Sequence, residues 1–172
     1  MRNARGLALG AMFTAVMLVL GYIESMFSLG PIPGIKIGLS NSVLLLSLYW
    51  LGIPASFGLM AAKVLLSGLL FGNLQTIQYS LAGGLLSMMG MVLAIYVVRG
   101  MSPVGAGILG GALHNVGQVL VAMLVLETAS LLYYMAVLVV VGAVMGAVTG
   151  TVVTQLRRFL PAGRRRRFGL AS

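Results

Sequence analysis

Of 172 residues, 60% are hydrophobic and 8% charged, with 11 Lys and Arg against two Glu and no Asp. A soluble domain carries about 25% charged residues, so this chain cannot clothe itself in a polar surface, which excludes a soluble enzyme, a nucleic-acid-binding module and a disordered segment. The absence of cysteine excludes disulfides and thiolate metal sites; what remains is an all-α, polytopic membrane protein, because a helix satisfies its own backbone hydrogen bonds in lipid.

About 20 apolar residues cross the hydrocarbon core, and six stretches qualify: 7–23, 35–51, 53–71, 75–98, 104–126 and 130–156. The first follows Arg2 and Arg5 and has the outline of a signal peptide. Its apolar run is long, however, and ends at Glu24 without a small-residue cleavage site, so it reads as a helix. Pro31-Ile32-Pro33-Gly34 closes the first hairpin, since proline removes an amide donor and restricts its neighbours. Gly52-Ile53-Pro54 makes a tight turn, Gly72-Asn73 separates spans three and four, 99–103 separates four and five, and 127–130 separates the last two. Residues 1–156 thus form a single six-helix transmembrane domain and 157–172 a basic tail. Six of the 11 basic residues lie in that tail, where they suit anionic headgroups.

Orientation follows from Lys and Arg in short loops. With the N-terminus inside, Arg2, Arg5, Arg99, Arg157, Arg158 and Arg164 to Arg167 are cytoplasmic, and only Lys36 is outside, with both glutamates. Both termini are therefore expected in the cytoplasm, and the chain in the cell membrane of a bacterium. Trp50 and Tyr96 then fall near the inner interface, and Tyr22, Tyr133 and Tyr134 near the outer one.

Placed by depth at about 1.5 Å per residue, the amides and charges gather in the outer half: Lys36, Ser40 and Asn41; Lys63 and Ser67; Asn73, Gln75, Gln78 and Tyr79; His114, Asn115 and Gln118. Polar groups in hydrocarbon are costly and face the bundle interior or a wet cavity, so a pocket opening outward is expected. Lys63, about ten residues into its span, is too deep to snorkel and has two readings. It is a cation awaiting a carboxylate or phosphate, or a structural lysine bonded to carbonyls or paired with Glu24 or Glu127. His114, Asn115 and Gln118 share a helix face and serve ligand contact or interhelical hydrogen bonding. Gln78 shares a face with Gln75 and Tyr79 near the interface. Lys36, Ser40 and Asn41 sit where a helix N-terminus could hold an anion. One His and two Glu make a metal cage improbable, and no cofactor is expected.

Small residues form a second pattern. Gly142, Gly146 and Gly150 recur every four positions, Gly6 pairs with Gly10 and Ala11 with Ala15, and Gly83, Gly84, Ser87 and Gly90 line part of span four. Such spacing permits close backbone approach. The Ala11/Ala15 face could instead dock a partner membrane subunit.

PIPGIKIGLSN at 31–41, LLSGLLFG at 65–72, YSLAGGLLSMMGM at 79–91 and GALHNVGQ at 111–118 together resemble the Gx transporter family, also known as heptaprenyl diphosphate synthase component I. Through it the chain resembles the substrate-binding S components of energy-coupling factor (ECF) transporters, over roughly 7–156. The resemblance implies an S-component-like bundle with a ligand pocket near the outer face. It also implies contact between Ala11 and Ala15 and a transmembrane coupling subunit driven by cytoplasmic ATPases.

The synthase label implies aspartate-rich motifs holding Mg²⁺, which a chain without Asp cannot supply, and no Walker A sequence is present. The expected function is therefore non-enzymatic: capture of a small, vitamin-, flavin- or isoprenoid-like organic molecule for uptake. Alternatives are a non-catalytic membrane component associated with isoprenoid or quinone-linked enzymes, and a stand-alone secondary transporter using His114.

Overall fold

The computed structural model describes residues 2–26, 39–98 and 101–159, which are helical apart from short turns. The 31–34 segment, Lys36, Arg99 and the arginine run at 164–167 lie outside the described residues. Six α-helices follow one another: α1 (Arg2–Met26), α2 (Leu39–Trp50), α3 (Ile53–Phe71), α4 (Leu74–Val92), α5 (Pro103–Leu126) and α6 (Leu131–Leu156). Five of them are long and apolar enough to cross a membrane. The described part of α2 is the exception, since 12 residues cover only about 18 Å of a roughly 30 Å core.

The helix ends follow local chemistry. Pro54 sits in the first turn of α3, where its missing N–H breaks no helical bond. Asn73 caps α4 by accepting from the Thr76 amide at 2.8 Å, and Ser102 caps α5 through the Gly105 amide at 3.2 Å. Beyond Val92 the α4 helix widens into a π-helical turn, Leu93–Val97.

Neighbouring helices run α1–α3–α4–α5–α6–α2 and back to α1, with α2 also touching α3 and α5. The bundle is thus a ring around a shared interior. Met17, Leu44, Leu45, Leu48, Met88 and Met91 are fully buried there. Leu7, Leu69, Leu124 and Tyr133 point outward, as in a protein whose solvent is lipid. Trp50 meets Phe13 edge to face at 6.0 Å, and the Tyr96 hydroxyl donates to the Leu48 carbonyl at 3.0 Å. Both aromatics therefore help fasten the end of α2 to its neighbours.

The tightest packing holds α5 between α4 and α6. A Cβ on Gly107 would fall on the Gly146 carbonyl oxygen, one on Gly111 on the Gly142 oxygen, and one on Gly150 against residues 103 and 104. On the other side, a Cβ on Gly83 would lie 2.7 Å from the His114 carbonyl oxygen, and one on Gly117 2.7 Å from the Ala82 oxygen. The small residues of α1 do not repeat this. Nothing lies within 4 Å of a Cβ at Gly6, and at Gly10 the nearest atom is the end of Leu59 at 3.9 Å. Ala11 and Ala15 are exposed on the outer side of α1.

Candidate functional site

The ring encloses a cavity of about 130 Å³ to which every helix contributes. Its polar part lies toward the end of the bundle that carries the α3–α4 and α5–α6 turns. There α3 supplies Lys63 and Ser67, α2 Ser40 and Asn41, and α5 His114, Asn115 and Gln118, while α1 adds Glu24. Toward the other end the walls are Met17, Met60, Met91 and Met145, set among the glycines of α5 and α6. Flexible thioether side chains suit such an irregular apolar floor. The glycines matter to the cavity as well as to packing, because Gly107, Gly111, Gly142 and Gly146 form its wall as bare backbone.

Five of the residues proposed from sequence converge here: Asn41, Lys63, His114, Asn115 and Gln118. The Lys63 ammonium donates to Asn41 Oδ1 at 2.9 Å, joining α3 to the first described turn of α2. Asn115 has a packing role too, since its Nδ2 donates to the Leu138 carbonyl of α6 at 2.5 Å. Asn115→Ala is expected to lower stability by about 0.6 kcal/mol and by no more than about 1.7, the mean and the maximum for interhelical hydrogen bonds in membranes. Thermal unfolding in detergent reads this directly, and no shift would mean that the bond contributes nothing net.

Gln78 departs from expectation. It is exposed and absent from the cavity wall, as is Gln75, while Thr76, Ser80, Gly84 and Ser87 of the same helix line it. Two residues from Thr76 or Ser80 is about 200° around a helix, so Gln78 lies on the opposite side. Lys36 lies outside the described residues.

Glu24, expected at the outer end of a span, is only 4% exposed. Its Oε1 accepts from the Leu39 amide at 2.6 Å and its Oε2 from the Ser40 hydroxyl at 3.1 Å. An acidic residue in the last turn of a helix has no sequence signal separating a solvent-facing carboxylate from one folded inward. The hydroxyls of Thr76, Ser80 and Ser87 were missed for a related reason: Ser and Thr often bond their own helix backbone, and so announce no cavity. Glu127 sits apart, exposed at the C-cap of α5 with φ 49°. Among the described residues no three His, Asp or Glu side chains come together to hold a metal.

The fold and the lined cavity define a polytopic helical membrane protein with a polar chamber inside its bundle. Residues 13–156 match the family described as heptaprenyl diphosphate synthase component I, and the chain belongs to that family. Neither curated proteins nor solved structures give a match.

Proposed function

We propose that this protein is the ligand-capture subunit of an uptake system for a small polar organic molecule bearing an anionic group. The observation that carries this reading is the convergence of Asn41, Lys63, His114, Asn115 and Gln118, from three helices, on one cavity. Polar groups so placed are expected only where they meet each other, water or a ligand. Lys63 supplies the charge for a carboxylate or phosphate, and the methionine floor the apolar contact.

Orientation supports the direction of capture. With Arg157 and Arg158 at the end of α6 on the cytoplasmic side, as the loop arginines favour, the polar end of the cavity opens outward. The exposed Ala11 and Ala15 leave the outer face of α1 open to a transmembrane coupling subunit with cytoplasmic ATPases. ATP hydrolysis would be the work of such a partner, because this sequence holds no Walker A motif.

Protein purified in nanodiscs should carry, or be thermally stabilised by, a small molecule under a broad screen of vitamins and organic acids. Absence of both a copurifying compound by mass spectrometry and any stabilisation across that screen would overturn the reading.

The family description favours a second reading, a non-catalytic membrane component of isoprenoid diphosphate synthesis. In a chain without Asp the diphosphate-bound Mg²⁺ would have to be held by another subunit.

A further inference from the structure

The cavity wall holds two opposite charges fastened to adjacent residues of one helical turn. Glu24, from α1, accepts from the Leu39 amide and the Ser40 hydroxyl. Lys63, from α3, donates to Asn41. A carboxylate offers about four acceptor positions; among the described residues these two donors take one on each oxygen. Apart from His114, these are the ionisable side chains among the described residues of the cavity wall, and their formal charges cancel. A singly anionic guest would break that balance in a water-poor interior, where uncompensated charge is expensive; a guest with both charges preserves it.

Size narrows the class further. About 130 Å³ is close to the ~150 Å³ of an engineered cavity that holds benzene and below the ~300 Å³ at which pockets for drug-sized ligands begin.

Building on the capture reading, we propose that the ligand is a compact zwitterion of roughly six to ten non-hydrogen atoms. Its carboxylate sits on Lys63, its ammonium on Glu24, and its aliphatic middle against Met17 and Met60.

Full-length protein in detergent is titrated with the ω-amino acids from glycine to 6-aminohexanoate, and with the carboxylate and the amine of each matching length. Inorganic phosphate is the further probe, and thermal unfolding the readout. At least one amino acid should bind ten-fold or more tightly than its carboxylate and amine, and Glu24→Gln should erase that preference. If Glu24→Gln does not fold, the matched comparison in the wild type decides alone. Equal stabilisation by a carboxylate or phosphate, unchanged in Glu24→Gln, would overturn the zwitterion and leave anion capture standing. No stabilisation by any of these probes would also overturn it, whatever the broader screen returns for capture itself.

Discussion

Gly111→Leu should yield no monodisperse protein in detergent, whereas Gly58→Leu should behave like the wild type. The two glycines both lie inside apolar helices, and only their surroundings differ. A Cβ on Gly111 would fall on the Gly142 carbonyl oxygen, and one on Gly142 would lie 2.5 Å from the Gly111 oxygen and from Asn115 Nδ2. Real Cβ contacts essentially never come under 3.0 Å, so α5 and α6 must part before any side chain fits between them. Inside a bilayer no hydrophobic force presses helices together, and close packing carries their association. Overpacking costs about 1–3 kcal/mol where neighbours can yield, and backbone carbonyls yield least.

Milder variants grade the effect. Gly146→Ala, facing the Gly107 oxygen, should lose about 1–3 kcal/mol. Gly58→Ala, with nothing within 4 Å, should be neutral or gain up to ~1 kcal/mol from helix propensity. Size-exclusion chromatography and thermal unfolding distinguish these outcomes. A stable Gly111→Leu protein would show that the α5–α6 approach is not what holds this half of the ring. The same variant would also open the cavity, because Gly111 and Gly142 are part of its wall.

How much of this could be read from the residues depends on whether a feature is local. The helices and turns are local: apolar runs of bilayer length, Pro54 in a first turn, and Asn73 and Ser102 as caps all announce themselves in sequence. The placement of Lys63, His114 and Asn115 inside the bundle was also legible, because hydrocarbon leaves a deep polar group few other options. Near the interface that constraint relaxes, and a side chain's placement is less legible. Gln78 is exposed and lies outside the cavity wall, while its small neighbours Thr76 and Ser80 line the cavity. The glycines show the same division. Their four-residue spacing in α6 was visible, but its pairing with Gly107 and Gly111 of α5 depends on a long-range register that no spacing within one helix specifies. The looser surroundings of Gly6 and Gly10 carry no sequence mark that separates them from Gly142 and Gly146.

Mass spectrometry of freshly purified wild type should find a bound small molecule that is missing from Lys63→Met. Methionine keeps a similar length and flexibility without charge, and an apolar side chain at this depth suits a membrane interior, so the variant should fold. What it loses is the ammonium that meets the ligand's anionic group. A hydrogen bond to a charged group is worth about 1.5–3 kcal/mol, which corresponds to roughly 10- to 150-fold in affinity. Gln78→Ala provides the contrast: an exposed residue outside the wall should leave both the bound molecule and its affinity unchanged. The pair also separates the two roles open to Lys63. If its bond to Asn41 at 2.9 Å serves only to tie α3 to α2, Lys63→Met should lower the unfolding temperature and release no ligand. If the ammonium is the receptor for the anionic group, the ligand should be lost while the unliganded protein stays folded.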